Sequence, residues 1–126
     1  MKHLHFDVET AGFYGAYWAC AGGSDCAVIA MIGDDPEDRL ARSAVKWLCG
    51  YGVNVLTMSP AKKDYGHHNY PLERVETAIS WLKANGNHKI GIAGASTTGT
   101  LALTAAAMFP DITLTIAMTP SDFVWQ

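Results

Sequence analysis

Four short apolar runs, at residues 26–32, 53–58, 88–93 and 112–118, constrain this chain more than any other feature. The first, 26–32, is continuous rather than alternating, as expected of a strand covered on both faces, and 53–58 reads as the next buried strand. Between the first two, Leu40, Ala41, Ala44, Val45 and Leu48 recur at helical spacing. Asp35 is placed to cap that helix, Pro36 suits its first position, and the neighbouring acids favour the positive end of its dipole. Gly50 or Gly52 ends it. Before the third run, Pro71 opens a second helix whose stripe is Leu72, Val75, Ile79 and Leu82, with Asn85-Gly86 as its stop. Strands separated by single helices predict right-handed β-α-β units. The expected fold class is α/β: a three-layer α/β/α domain with a mostly parallel sheet. Residues 3–8 and 13–19, aromatic and β-favouring on either side of Glu9-Thr10-Ala11-Gly12, predict two leading antiparallel strands.

Composition narrows the class. With 126 residues, 49% of them hydrophobic and 17% charged, the chain suits one globular domain with a substantial core. A net charge of −3 leaves no basic footprint for nucleic acid, and no run approaches the roughly 20 apolar residues of a membrane span. The first residues lack the apolar core of a signal peptide, so a cytoplasmic location is expected. Cys20, Cys26 and Cys49 form neither a C-x-x-C pair nor a metal-ligand spacing, which predicts free, mostly buried thiols. No cofactor and no metal are expected.

The functional signal lies where the third strand ends. Gly94-Ala95-Ser96-Thr97-Thr98-Gly99 separates that strand from residues 100–109, an apolar run read as a buried helix over 97–109. Strand, serine turn and helix are the outline of a nucleophile elbow, in which small residues let strand and helix pack closely around a serine in a strained conformation. Gly94, two before Ser96, meets that demand; two after it stands Thr98, and the glycine comes one position later, at Gly99. Ser96 can also be read as an N-cap. Gly94 and Gly99 share the spacing of a phosphate-binding loop, but Thr100-Leu101 stands where its Lys-Ser/Thr should. A dinucleotide fingerprint does not fit either, because Gly91 lies inside the strand.

With this order of elements around Gly94-Ala95-Ser96, the chain resembles the N-terminal half of an α/β-hydrolase. More narrowly, Tyr70-Pro71-Leu72-Glu73 with Ala78, Trp81 and Leu82, residues 89–94 leading into Ser96, and residues 112–119 resemble the acyl-CoA thioesterase and bile-acid-CoA:amino-acid N-acyltransferase C-terminal domain group. The resemblance implies a serine hydrolase acting on an ester or acyl-CoA thioester through an acyl-enzyme. It makes Ser96 the nucleophile and the N–H of Thr97 one oxyanion donor, with Gly33, Asp34 or Asp35 supplying the second. The acid and histidine of the triad follow later strands in this fold, and nothing in the chain matches them. A truncated domain is therefore expected, the more so because Phe123-Val124-Trp125-Gln126 closes the chain directly after a buried-type strand.

Rival readings use the same residues differently. His67 and His68, in the loop after the second strand, can face the site as a base or lie solvated beside Asp64. His88, His3 and His5 are assigned no role. The turn at Ser96 can hold a phosphate or carboxylate without chemistry, or the chain can be a pseudo-enzyme half that pairs with another chain. The expected partner is a small-molecule ester or acyl-CoA. An uncovered apolar edge at 112–118 predicts a homo-oligomer or pairing with a missing C-terminal half.

Overall fold

A computed structural model describes residues 3–32, 35–58, 72–95 and 108–118. The chain forms β1 (His3–Phe6), the single helical turn α1 (Val8–Ala11), β2 (Gly15–Trp18), β3 (Cys26–Met31), α2 (Arg39–Cys49), β4 (Asn54–Met58), α3 (Leu72–Ala84), β5 (Lys89–Ala95) and β6 (Ile112–Met118). All six strands join one mixed sheet in the order β1-β2-β4-β3-β5-β6. β3 pairs in parallel with β4 and β5, and β5 with β6; β1–β2 and β2–β4 are antiparallel. The parallel core and leading antiparallel strands are thus as the sequence predicts. α1 is an addition: the segment read as a connector curls into one turn, closed by the Ala11 N–H donating to Asp7 O at 2.9 Å.

The continuous apolar runs are explained by what covers each face. Ala27, Ile29, Met31, Leu56, Met58, Ile90 and Ile92 pack on one face with Val75, Ala78, Ile79 and Leu82 of α3. Val28, Ala30, Val55 and Ala93 pack on the other with Val45 and Leu48 of α2 and with Trp18. Right-handed crossovers require this, because the chain steps from β3 to β4 in one direction and from β4 back across β3 to β5 in the other.

Two details of α2 correct the sequence reading. Its cap is Asp38, whose Oδ1 accepts the Ala41 N–H at 2.8 Å, and the helix begins at Arg39. The Asp35 carboxylate instead accepts the Glu37 N–H at 2.9 Å, so 35–38 is a turn ahead of the helix with Pro36 buried inside it. Leu40, at helical spacing with the core residues, is 60% exposed because the buried stripe runs through Ala41, Ala44, Val45 and Leu48.

At the amino ends of the parallel strands a buried amide pair ties the layers together. Asn54 Oδ1 accepts the Cys20 N–H at 2.9 Å, and Asn54 Nδ2 donates to Asn87 Oδ1 at 2.9 Å and to Ser24 O at 3.1 Å. The three thiols are free; Cys20 is buried and Cys26 and Cys49 partly so. Burial pushes the Cys49 thiol up, with Cys20 adding to it, which opposes thiolate chemistry.

Among the described residues a close backbone approach falls at Gly15, where a Cβ would stand 2.5 Å from the Thr57 carbonyl oxygen of the neighbouring strand. Nothing lies within 4 Å of a Cβ at Gly22. Gly15→Ala is expected to destabilise the domain by roughly 1–3 kcal/mol through overpacking, and Gly22→Ala to change it by less than about 0.5 kcal/mol, as urea unfolding midpoints would record.

Candidate functional site

Parallel strands deliver their carboxyl ends to one edge of the sheet, and here two of those ends stand side by side. Met31 of β3 is in register with Gly94 of β5, and Ala30 is in register with Thr57 of β4 on the other side. From β3 the chain proceeds to β4, and from β5 to β6, in opposite directions out of two adjacent strands. Such a divergence opens a crevice at the carboxyl ends, where α/β sheets place their ligands. Gly94 is buried at this edge. Ser96, Thr97, Gly99, Gly33, Asp34, His67 and His68 lie outside the described residues, as do Asp64 and the helix expected after Ser96.

Asp35 is the described member of the three oxyanion-donor candidates, and its N–H is already committed. It donates to Asp38 Oδ2 at 3.1 Å, the carboxylate that also caps α2. That leaves Gly33 and Asp34 as the donors the sequence offers on this segment. The Asp35 carboxylate, an awkward neighbour for an oxyanion, is occupied by the Glu37 N–H and by a longer contact from the Tyr14 hydroxyl at 3.5 Å. Burial, then the charges of Asp35 and Glu37, raise the Tyr14 phenol above its usual range, so it stays protonated and able to donate.

The turn 35–38 is held from below and from the side. Below it, the buried Thr57 hydroxyl accepts from Trp18 Nε1 at 3.1 Å and lies 2.6 Å from Pro36 O and 3.2 Å from Ala16 O. With one hydrogen it donates to one carbonyl at a time, and the shorter contact favours Pro36. From the side, His3 Nε2 meets Glu37 Oε1 at 2.8 Å and His5 Nδ1 meets Glu37 Oε2 at 2.5 Å. Arg42 Nε donates to Glu37 O at 2.8 Å, and its guanidinium lies 5.3 Å from the Trp18 ring centroid. His3 stacks on the indole with centroids 4.0 Å apart.

Sequence reading missed these supports. Thr57 carried a signal, as a polar residue inside a run otherwise fit for burial on both faces. His3 and His5 carried none, since their partner is more than thirty positions away and only the sheet brings them together. His88 is exposed at the opposite end of β5 from Gly94. Among the described residues no group of three or more His, Cys, Asp and Glu side chains is arranged to hold a metal ion. No described helix is long and apolar enough to cross a membrane.

A mixed six-stranded sheet with this order, with α2 and α3 on opposite faces, has the architecture of the α/β-hydrolase fold. The same architecture appears in an α/β hydrolase, GrgF, of Penicillium sp. sh18, with a TM-score of 0.73 and 22% identity over 94% of this chain and 45% of that one. It appears in the esterase Est1E of Butyrivibrio proteoclasticus, with a TM-score of 0.72 and 19% identity over 98% of this chain and 53% of that one. An esterase of Pyrococcus furiosus matches with a TM-score of 0.70 and 21% identity over 94% of this chain and 48% of its own. The chain thus spans about half the length of these structures. No protein-family model and no curated protein matches the sequence.

If Thr57 tethers the turn as described, Thr57→Val, which keeps the shape and removes the hydroxyl, leaves Trp18 Nε1 and the Pro36 carbonyl without their partner. A loss of roughly 1–3 kcal/mol is expected in thermal or urea unfolding. Asp38→Ala should cost about 1 kcal/mol through the lost cap.

Proposed function

We propose that this chain is the nucleophile-bearing half of a serine hydrolase that acts on an ester or thioester through an acyl-enzyme, with acyl-CoA the substrate class. The observation that carries the reading is the register of Met31 with Gly94, since the segment leading to Gly33 and the segment leading to Ser96 depart from adjacent strand ends. Acyl transfer needs that adjacency: a hydroxyl to attack the carbonyl, and backbone N–H groups beside it for the charge of the tetrahedral intermediate. Esterases among the structural neighbours support an ester as the electrophile. The thioester rests on the resemblance of residues 70–82 and 89–119 to the acyl-CoA thioesterase group.

In this reading Ser96 Oγ attacks the acyl carbon as a histidine takes its proton, and the imidazolium returns that proton to the leaving thiol or alkoxide. Thr97 and either Gly33 or Asp34 hold the oxyanion. Water then cleaves the acyl-enzyme by the same steps. His67 and His68 follow the carboxyl end of β4 and are this chain's own candidates for the base, although they do not match the position of the histidine in the α/β-hydrolase order. The chain alone is expected to turn over p-nitrophenyl esters and acyl-CoA only slowly. Oxyanion stabilisation and binding without a base leave roughly 10³ to 10⁴ over water in a serine protease lacking its triad.

The decisive test is labelling by a fluorophosphonate probe, lost in Ser96→Ala and retained in His88→Ala. Absence of labelling at Ser96 together with stabilisation by inorganic phosphate would replace this reading with a binding module. Rapid turnover that disappears in His67→Ala or His68→Ala would identify the loop histidine as the base.

β6 bears on the partner. It is the last described strand of the sheet, and its Leu114 is 55% exposed. An apolar strand at a sheet edge is a template for another chain, and β6 forms that edge among the described residues, so we propose that the isolated protein self-associates through β6. Light scattering should report a species larger than one chain, and Leu114→Lys should shift it toward the monomer; a monodisperse monomer before substitution would refute the proposal.

A further inference from the structure

The leading hairpin grips the turn that precedes α2, and the chemistry of the grip depends on protonation. His5 presents both ring nitrogens to carboxylates: Nδ1 to Glu37 Oε2 at 2.5 Å and Nε2 to Asp7 Oδ1 at 3.2 Å. Ionised carboxylates only accept, so both contacts are hydrogen bonds only when both nitrogens carry protons. A neutral ring would aim a lone pair at one of the two oxygens. His3 needs a single proton on Nε2 to donate to Glu37 Oε1, and its stacking on Trp18 fixes the ring.

We infer that His3 and His5 are positioning residues, which hold Glu37 and with it the turn 35–38 while His5 is an imidazolium, and loosen that turn when His5 loses its proton. The inference rests on the reading above, in which the segment between β3 and α2 supplies an oxyanion donor. Glu37 is the handle because its two oxygens are taken by β1 while its carbonyl is taken by Arg42 of α2 and its N–H by Asp35. The charged and titratable groups around the grip come from every neighbouring element. Asp7 lies at the end of β1, Tyr14 just before β2, Asp35 and Glu37 in the turn, and Arg42 on α2. Three carboxylates against one guanidinium, which is turned to the Glu37 carbonyl and the indole, favour a cation at His5.

Burial, the largest influence on His5, pushes toward the neutral ring; its hydrogen bonds to Glu37 and Asp7 and their charges outweigh it and hold His5 above 6.5. For Glu37, burial again opposes, and the bonds from His3 and His5 hold the carboxyl below 4.5. A raised histidine stabilises fully below 6.5 and loses that contribution as pH climbs through its folded value. A depressed carboxyl contributes above 4.5 and loses it as pH falls through its folded value. Both are in force between those two figures, and the grip weakens as pH rises above the higher one.

The experiment uses the whole chain, with Glu37→Gln and His5→Gln as independent variants. Imidazole proton NMR should show His5 titrating above its ordinary value in the parent and closer to it in Glu37→Gln. Amide-exchange protection of Glu37 and Asp38 should fall roughly twofold to fivefold in either variant at about pH 5.5, the size expected of a partly exposed ion pair, and converge with the parent at about pH 8.5. The rate of fluorophosphonate labelling at Ser96 should show the same pH-dependent gap. An ordinary His5 titration in both proteins, or protection that the variants leave unchanged at the lower pH, overturns the grip. Absence of labelling at every pH with the titration and protection as expected overturns the hydrolase reading and the positioning role, and leaves the grip itself standing.

Discussion

Everything in this domain depends on β3 being paired in parallel on both edges and buried on both faces. Ile29, Ala30 and Met31 are fully buried, and their neighbours Val55, Leu56, Ile92 and Ala93 are too. A fully buried Val, Leu, Ile or Met contributes roughly 1.5–3 kcal/mol relative to exposure, so this central patch outweighs any single polar contact described above. The same pairing sets Met31 beside Gly94 and so brings two distant stretches of chain to adjacent strand ends.

The polar residues admitted to that core mark its two ends. Asn54 opens β4 and Thr57 stands one residue before its close, each buried and each fully occupied. An unpaired buried amide or hydroxyl would cost about 1–3 kcal/mol, so their places are set by the partners waiting there. Asn54 closes the amino ends of the strands against Asn87. Thr57 reaches up through the carboxyl end to the turn at Pro36. The side chain that stabilises the sheet is thus also the one that locates the approach to α2.

The antiparallel flank extends this role. β1 could have been a mere edge, yet its histidines meet Glu37 of the turn before α2, and Trp18 of β2 supplies the surface on which His3 and Arg42 rest. Partly exposed ion pairs are individually weak. Their effect comes from being concentrated on four residues that already have a buried tether beneath them, so a small change in charge can alter the position of the turn without unfolding the sheet.

Much of the architecture was legible in the chain because burial on two faces leaves a one-dimensional trace. Runs such as 26–32 and 53–58 admit few other placements, and the stripes Ala41–Val45–Leu48 and Val75–Ile79–Leu82 show which helical faces meet them. The strand before Ser96 was legible for the same reason, although it runs on through Gly94 and Ala95, which sequence reading assigns to the turn; the geometry of Ser96 lies outside the described residues. What remained hidden was every choice among chemically similar neighbours. Asp38 rather than Asp35 caps α2, Ala41 rather than Leu40 faces the core, and the Asp35 N–H, one of the oxyanion-donor candidates, is committed to Asp38. Nor could the sequence pair His3 and His5 with Glu37. Periodicity records whether a residue is covered, whereas hydrogen-bond partners depend on distances and directions between strands that only the assembled sheet creates.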